Sequence, residues 1–377
     1  MKNVMSWISR PPSLFLLLSI VLLAVGWKFK SFALIGFSGS AFLIACALLS
    51  VRLRGFLTPL VAIALVLSIA ELLLPSLLPS PGSQTRFDQN SGYLHEYTEQ
   101  VPGFGPRPLP GSYTSKKLTI SDEVIYDVVY NIGPDGYRLD GASASPRVYV
   151  YGGSFAFGEG LDDDETLSAV LEAEHGVPAK SIAVQGYGLH QALYNIQNGI
   201  TPEAGGVHVL LTAPWHALRS ACKPEYVVGS PRYVLNDDGL QLDGVCPPPG
   251  ALARLLDLSN IWRVIDRALL NTRNRLSDED IALYLAIVEE IARLTHQHGS
   301  KLVVAHIDAT EQQLSSTSWT NQTIMEHMSG AADSVVDVTL AETREALDAR
   351  YYLSEFDQHP SAAANRERAG LIADVLK

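Results

Sequence analysis

One stretch decides the fold of this chain: Val148-Tyr-Val-Tyr-Gly-Gly-Ser-Phe-Ala-Phe-Gly158. A short apolar run of alternating Val and Tyr ends in two glycines, and Ser154 follows at once. This pattern predicts a buried strand that ends in a tight turn with Ser154 at its tip. Ligands of open α/β sheets bind at the carboxyl ends of the strands. Ser154 is therefore either a residue with a chemical role or only the cap of the helix that follows.

Strand and helix patterns alternate on the carboxyl side of this stretch. The predicted strands cover residues 148–151, 181–184, 207–212, 301–307 and 334–338, and the predicted helices cover residues 165–174, 189–198, 278–298, 340–349 and 362–376. Such alternation predicts a three-layer α/β/α sandwich with a mostly parallel five-stranded sheet. Residues 220–275 interrupt the alternation, and we interpret them as an insertion beside the carboxyl edge of the sheet.

The chain before the sheet has a different character. Residues 1–80 contain three apolar runs, at 11–27, 31–51 and 55–78. A helix needs about 20 apolar residues to cross the hydrocarbon layer, so these runs predict three transmembrane helices. A cleaved signal peptide is the weaker alternative for the first run, because no small-x-small cleavage site follows it. We therefore expect a membrane anchor at 1–80, a linker and small β extension at 81–146, and the α/β domain at 147–377.

Three features of the sequence bear on the membrane and the compartment. Glu71 is the acidic residue inside the third run, and it is either functional or placed at the interface. The basic residues beside the runs favour slightly an N-terminus in the cytoplasm and an exported C-terminal domain. Cys222 and Cys246 flank a Pro/Gly-rich insert and either form a disulfide in an oxidising compartment or remain unpaired.

Composition excludes several classes of function. The formal net charge is −12, which argues against nucleic acid as a partner because that affinity comes from Lys and Arg neutralising phosphates. Gly186-x-Gly188 lacks the third glycine of a dinucleotide site. His296-x-His298 has the wrong spacing for two metal ligands on one helix face. Neither a cofactor nor a metal is predicted.

The chemistry is predicted where Phe356-Asp-Gln-His-Pro-Ser361 precedes an amphipathic helix. His359 lies in a short segment before that helix, and Asp357 lies two residues earlier. A hydroxyl nucleophile needs an imidazole to take its proton and a carboxylate to orient the imidazole. Together with Ser154, these two residues are the expected constituents of a catalytic triad.

These motifs resemble those of the SGNH/GDSL family of serine hydrolases, over most of residues 131–377. Members typically show Gly-Asp-Ser after a strand, and this chain has Gly152-Gly153-Ser154. The acidic run from Glu159 to Thr166 resembles that of bacterial, membrane-linked members. A glycine after the second strand matches Gly186, and the family's Asp-x-x-His-Pro block resembles Asp357-Gln-His359-Pro.

The resemblance implies a role for each of these residues. Ser154 would be the nucleophile, His359 the base and Asp357 its orienter. The backbone N–H groups of Ser154 and Gly186 would stabilise the oxyanion. The Asp–His spacing is one residue shorter than the commonest form, so Glu355 is the alternative orienter.

Two further positions depart from the family pattern. Gly153 replaces the Asp that precedes the nucleophile. The third block, which in the family supplies an Asn donor to the oxyanion, reads Thr212-Ala-Pro-Trp-His-Ala-Leu-Arg219. Trp215, His216 or Arg219 would have to donate instead. We predict His216, and the alternative is that His216 only packs against the insertion.

The predicted function is that of a membrane-anchored serine esterase or O-acyltransferase that works through an acyl-enzyme. By the resemblance, its substrates are acyl (acetyl) esters of a surface carbohydrate or lipid. Its expected location is the bacterial inner (cytoplasmic) membrane, multi-pass, with an extracytoplasmic C-terminal domain. The alternative is a catalytically inactive SGNH-fold protein that binds carbohydrate or a partner in a polysaccharide export or modification complex.

Overall fold

A computed structural model describes residues 11–28, 31–77, 84–92, 97–141, 145–266, 275–340 and 348–377. It contains two compact units. The helical unit comprises Met1–Ser83 and Pro249–Thr272, and the sheet unit comprises Gln84–Pro248 and Arg273–Lys377. Most of the helix predicted at 340–349 lies outside the described residues.

The elements of the described residues follow in chain order. The helices are α1 (Pro11–Lys28), α2 (Phe32–Leu49), α3 (Arg54–Leu77), α4 (Ser154–Phe157), α5 (Leu167–His175), α6 (Leu189–Gln197), α7 (His216–Ser220), α8 (Ala251–Leu256), α9 (Asn260–Ile265), α10 (Asp278–Gln297), α11 (Glu311–Leu314), α12 (Asn321–Ser329) and α13 (Ala362–Leu376). The strands are β1 (Thr85–Phe87), β2 (Thr98–Val101), β3 (Gly105–Pro108), β4 (Gly111–Thr119), β5 (Val124–Ile132), β6 (Val148–Gly152), β7 (Ala179–Ala183), β8 (Val207–Thr212), β9 (Pro231–Asn236), β10 (Gly239–Val245), β11 (Lys301–His306), β12 (Ser334–Asp337), β13 (Tyr352–Ser354) and β14 (Asp357–Pro360).

The central sheet has five strands in the order β12-β11-β8-β6-β7, and every neighbouring pair is parallel. Counted along the chain this is the order 2-1-3-4-5 of flavodoxin-like folds. The chain moves from β6 to β7 on one side and then returns to β8 on the other. In open α/β sheets ligands bind where the strand order reverses, and here that place is the carboxyl end of β6, where the motif quoted at the outset ends. The predicted strands are confirmed.

Helices cover both faces of this sheet. Successive strand residues point to opposite faces, so Tyr151 and Leu210 enter one apolar cluster while Val150 and Val209 enter the other. Helices α6 and α10 cover the first face, and α5 and α13 cover the second. The predicted three-layer α/β/α sandwich is therefore confirmed.

The predicted β extension is an antiparallel sheet in the order β1-β4-β5. Strands β4 and β5 form a hairpin, with Lys117 of β4 opposite Tyr126 of β5. Tyr126, Val128, Tyr130 and Ile132 alternate inward and join the apolar cluster of the second face. The extension therefore shares a core with the layer that contains α5 and α13.

In the helical unit, α1, α2 and α3 are long and apolar enough to cross a membrane. This confirms the three predicted helices. The Ser38 hydroxyl on α2 donates to the carbonyl of Ser19 on α1 at 2.8 Å. A Cβ added at Gly36 of α2 would overlap the Ser68 hydroxyl of α3. Small residues at these contacts let the helices approach closely, as in membrane helix pairs.

The insertion predicted at 220–275 is divided between the two units. Its first half belongs to the sheet unit and contains the antiparallel pair β9–β10. A Cys222–Cys246 disulfide spans this half, with the Cα atoms 5.3 Å apart. The second half, with α8 and α9, belongs to the helical unit. The limits of the α/β domain remain a prediction, with residues 249–272 assigned by packing to the other unit.

Candidate active site

Ser154 lies at the carboxyl end of β6, as the first residue of α4. A Cβ added at Gly152 would lie 2.8 Å from the carbonyl oxygen of Leu211, so the chain leaves the strand where only glycine fits. Ser154 is 7% exposed. The first N–H groups of a helix have no partner within the helix, so the backbone around Ser154 offers donors. The backbone N–H groups at the start of α4 can therefore donate to an oxyanion.

Two backbone amides are available for that purpose. In the described part of the chain, the N–H groups of Ser154 and Gly186 have no recorded hydrogen-bond partner. Gly186 has φ +80°, a conformation that L side chains rarely adopt. Gly186 follows β7 just as Ser154 follows β6, and β6 and β7 are neighbours. The two predicted backbone donors thus lie at the same edge of the sheet.

His216 lies at the start of α7, directly after β8, and its ring is buried. Its Nδ1 lies 3.1 Å from Thr212 Oγ1, which also lies 3.0 Å from the hydroxyl of Tyr284. Burial holds the pKa of His216 well below its usual range, and the positive charge of Arg219 lowers it further. The imidazole is therefore neutral. When the Thr212 hydroxyl donates to Nδ1, the imidazole proton remains on Nε2.

The Nε2 atom of His216 faces the start of α4. It lies 3.5 Å from a Cβ added at Gly153. The same Cβ would overlap the Arg219 guanidinium, which donates to the carbonyl of Tyr187 at 2.6 Å. This guanidinium fills the space that a side chain at position 153 would need. The backbone carbonyl oxygen of Tyr187 would lie 2.9 Å from the same Cβ, so only glycine fits here without a shift.

Asp357 and His359 are brought into contact on β14. His359 Nδ1 lies 2.6 Å from Asp357 Oδ1, and the backbone N–H of His359 donates to the same oxygen at 3.1 Å. Burial alone would raise the pKa of Asp357, but the hydrogen bond and charge of His359, with the Lys117 ammonium, hold it well below its usual range. Glu355 is exposed. The orienting contact is therefore made by Asp357.

A second carboxylate lies on the other side of His359. His359 Nε2 is 3.4 Å from Glu159 Oε2, so the ring lies between Glu159 and Asp357. Burial alone would lower the pKa of His359, but the two carboxylates outweigh burial and raise it. The Lys117 ammonium lies 2.7 Å from Asp357 and 3.9 Å from Glu159. Glu159, Asp357 and His359 have the composition of a metal site, and the Lys117 ammonium already supplies a positive charge beside the two carboxylates.

Glu159 and Lys117 are the site residues that the sequence did not predict. Glu159 begins the acidic run that ends at Thr166, but that pattern indicated no role for it. Lys117 belongs to the β extension, 240 positions from Asp357, and nothing in a strand of alternating residues marks it. Both become visible only once β4 and β14 are placed together.

The structure brings β14 against α4 without joining Ser154 and His359 by a hydrogen bond. The rings of Phe155 and His359 lie edge to face with centroids 5.6 Å apart. Among the hydrogen bonds of the described residues, none involves the hydroxyl of Ser154. Catalytic hydrogen bonds are often long in free enzymes and tighten when substrate binds. The roles of Ser154, His359 and Asp357 remain predictions at this point.

The chain was compared with known proteins. No protein-family model and no curated protein matches it. Several solved structures do. One is assigned to the G-D-S-L family of lipolytic proteins, from Desulfitobacterium hafniense DCB-2, with 12% identity over 60% of this chain and 98% of that chain, and a TM-score of 0.34. Another is assigned as an SGNH hydrolase, from Slackia heliotrinireducens, with 13% identity over 62% of this chain and 100% of that chain, and a TM-score of 0.33.

A third similar structure is an acetyl xylan esterase from the rumen bacterium Butyrivibrio proteoclasticus. It has 12% identity over 66% of this chain and 65% of that chain, and a TM-score of 0.34. At such identities and scores a likeness carries no argument about activity, and the fold assignment rests on the sheet order described above. Two of these three structures are described as G-D-S-L or SGNH proteins, the family that the sequence motifs of this chain resemble.

Proposed function

We propose that this chain is a membrane-anchored serine esterase or O-acyltransferase of SGNH type. Ser154 Oγ attacks an ester carbonyl, and its proton passes to His359 Nε2. The carbonyl oxygen becomes an oxyanion held by the N–H groups of Ser154 and Gly186, with His216 Nε2 as a third donor. The C–O bond to the leaving alcohol then breaks, and His359 returns the proton to that alcohol. Water or a sugar hydroxyl takes the acyl group from Ser154 in the reverse sequence.

The observation that carries this proposal is the 2.6 Å contact between Asp357 and His359, on a strand that packs against the helix of Ser154. A buried carboxylate on Nδ1 fixes the tautomer that leaves Nε2 free to accept a proton. The unpartnered amides of Ser154 and Gly186 add the electrostatic part, in which one lost donor typically costs about 3 kcal/mol of barrier. These contacts support the proposal that a nucleophile, a base and oxyanion donors belong to one site.

Glu159 sets a condition on this mechanism. His359 Nε2 faces Glu159 in the free protein. It therefore has to exchange this contact for a hydrogen bond with the Ser154 hydroxyl before it can act as a base. The raised pKa of His359 means that the imidazole becomes neutral, and competent, only as the pH rises. We therefore expect activity to fall on the acid side of its optimum.

We propose an acyl (acetyl) ester of a surface carbohydrate or lipid as the substrate. The family resemblance suggests it, and the aromatic surroundings suit a sugar ring. Tyr226 is 55% exposed, and its ring lies 3.2 Å from a Cβ added at Gly186. Phe155 and Trp215 pack edge to face with centroids 6.1 Å apart. Flat aromatic faces of this kind offer an apolar surface with a polar edge to a bound ring.

We also propose that the helical unit anchors the protein in the bacterial inner membrane and that the sheet unit faces the extracytoplasmic side. Helices α1, α2 and α3 are each long and apolar enough to span a bilayer. The Cys222–Cys246 disulfide supports the orientation, since disulfides persist in oxidising compartments.

Reaction with a fluorophosphonate probe and hydrolysis of an aryl acetate test this proposal. Wild-type protein should be labelled and active, and Ser154→Ala should lose both properties while its circular dichroism is unchanged. Ser315→Ala, at an exposed serine after α11, is the matched control and should keep both. Folded wild-type protein that neither labels nor hydrolyses at neutral pH would contradict the catalytic proposal.

The second candidate is a non-catalytic binding protein on the same fold. Two observations favour it: His359 Nε2 faces Glu159, and the third sequence block has no Asn. Such a protein would bind an acetylated oligosaccharide without releasing acetate. Calorimetric binding without turnover, unchanged in Ser154→Ala, would decide for it.

A further inference from the structure

The helical unit contains, besides its three long apolar helices, a segment of two short helices. It consists of α8 (Ala251–Leu256), a short turn and α9 (Asn260–Ile265), and it is called the 251–265 segment below. By its packing the segment belongs to the same unit as α3, although Pro249, where the chain enters this unit again, lies some 170 positions after the end of α3. Each helix has only six residues, so neither can cross a bilayer.

Glu71 of α3 fixes this segment. Its carboxylate accepts hydrogen bonds from the Ser259 hydroxyl, from the backbone N–H of Asn260 at 2.7 Å and from that of Ile261 at 3.3 Å. The Asn260 side-chain amide donates to the backbone carbonyl of Glu71 at 2.9 Å. Glu71 is 7% exposed. The acidic residue inside the third apolar run is therefore an attachment point for the 251–265 segment.

The position of Glu71 along α3 indicates a depth. It lies six residues before Leu77, the last residue of the helix, which corresponds to about 9 Å along the axis. Amphipathic helices that lie in a membrane surface bury their apolar face about 5–10 Å into the boundary between headgroups and acyl chains. If α3 crosses a bilayer, the attachment point lies within that boundary layer.

The surface of the segment suits the same layer. Leu252 is 68% exposed and Leu255 is 46% exposed, and their spacing of three places them on one face of α8. Arg254, between them in sequence, projects from another face and is exposed. A face of exposed leucines beside basic residues is typical of a helix that rests on anionic lipid.

A recess beside the attachment point has matching chemistry. It has a volume of about 380 Å³ and lies between α2, α3 and the turn before α9. Its wall is mainly apolar, with Ile35, Leu67 and Ile261 among the lining residues. Hydrocarbon rather than water suits such a wall.

We propose that the 251–265 segment is a fourth membrane-seated element, which lies in the interfacial layer of the bilayer and is held there by Glu71. Its partner is the lipid surface itself. The inference goes beyond the proposed enzymatic function and rests only on the part of that proposal in which α3 crosses a bilayer. It also gives the exposed leucines and the buried carboxylate a single explanation.

Nitroxide labels on single cysteines test the proposal in the full chain. The background is Cys46→Ala, with the Cys222–Cys246 disulfide intact, in vesicles of phosphatidylethanolamine and phosphatidylglycerol. Labels at Leu252→Cys and Leu255→Cys are compared with Ile63→Cys, on an exposed position of α3, and with Leu242→Cys, an exposed leucine of the sheet unit. The measured quantities are collision rates with oxygen, which enriches in hydrocarbon, and with a polar nickel chelate, which does not.

The expected result is that labels at Leu252 and Leu255 lie between the two references, with higher oxygen and lower nickel accessibility than the label at Leu242 and the reverse relative to the label at Ile63. Nickel accessibility equal to that at Leu242 would overturn the proposal. If Ile63 itself were accessible to nickel, α3 would not cross the bilayer, and this inference would fall together with the anchoring while the enzymatic proposal stood.

The role of Glu71 has its own test, with the label at Leu255. Glu71→Ala removes every side-chain acceptor and should increase both the mobility and the nickel accessibility of that label. Glu71→Gln keeps one acceptor oxygen and should cause a smaller change. The label at Ile63 reports whether the variants still insert. Unchanged spectra in inserted Glu71→Ala would overturn the attachment by Glu71.

Discussion

Replacement of Lys117 by Met tests whether its buried ion pair with Asp357, the residue that contacts His359, stabilises the folded sheet unit. The Lys117 ammonium lies 2.7 Å from Asp357, and the two side chains are 15% and 3% exposed. Removal of one partner of a buried pair leaves the other charge without compensation, which typically costs about 3–5 kcal/mol. Met keeps most of the length and apolar volume of the lysine stem. Asp357 keeps its contact with His359 in this variant, so we expect the lower end of that range, a fall of about 3 kcal/mol in the free energy of unfolding of the sheet unit.

The neighbouring residue provides a matched control. Lys116 pairs with Asp127 at 2.6 Å, but these side chains are 32% and 46% exposed. Exposed pairs are worth about 0–1 kcal/mol, because water screens them and the side chains lose freedom on pairing. Lys116→Met should therefore change stability little. The two variants differ in burial and hardly at all in pair distance.

The assay is urea unfolding of the full chain in detergent micelles, followed by tryptophan fluorescence. A double-mutant cycle with Asp357→Asn isolates the pair, since the double variant no longer contains an uncompensated charge. We expect the double variant to lose less than the sum of the two single losses. Equal losses for Lys117→Met and Lys116→Met, or strict additivity in the cycle, would show that the buried pair does not stabilise the fold more than the exposed one.

Three further predictions concern single residues of the candidate site. Glu159→Gln removes a carboxylate that raises the pKa of His359, so the acid limb of the profile of kcat/KM against pH should move to lower pH. The control Glu355→Gln, at an exposed site, should leave the limb in place. Movement of the limb to higher pH in Glu159→Gln would contradict the assignment. His216→Ala should lower kcat by about a hundredfold to a thousandfold with little change in KM if its Nε2 donates to the oxyanion, and an unchanged kcat would leave His216 a packing residue. Gly153→Ala should destabilise the fold by about 1–3 kcal/mol, because its Cβ would lie 2.9 Å from the backbone carbonyl oxygen of Tyr187, and wild-type stability in urea unfolding would contradict that packing.

Much of the fold could be predicted because each strand and helix depends on the pattern of neighbouring residues in the sequence. The strand that ends at Gly152 and the helix from Ala362 to Leu376 each show their own periodicity, and both lie where the sequence placed them. Parallel order then follows from the alternation of strands and helices. The contact between Asp357 and His359 was predictable for the same reason, since the two residues are near neighbours in sequence.

The rest could not be predicted because it depends on contacts between distant segments. Lys117 reaches Asp357 across 240 positions, and Ser259 reaches Glu71 across 188. Neither pair has a local signature, so the ion pair beneath His359 and the attachment of the 251–265 segment appear only in three dimensions. Gly153, where the sequence departs from the family motif, is a third example, because the Arg219 side chain beside it belongs to a distant segment of the chain.

The central claim is that Ser154 is the nucleophile and His359 its base. Peptide mapping by mass spectrometry after reaction with a fluorophosphonate tests it most directly. We expect a single adduct on Ser154, none on Ser154→Ala, and strongly slowed labelling of His359→Ala at unchanged fold. An adduct on another residue, or a rate for His359→Ala equal to that of the wild type, would contradict it.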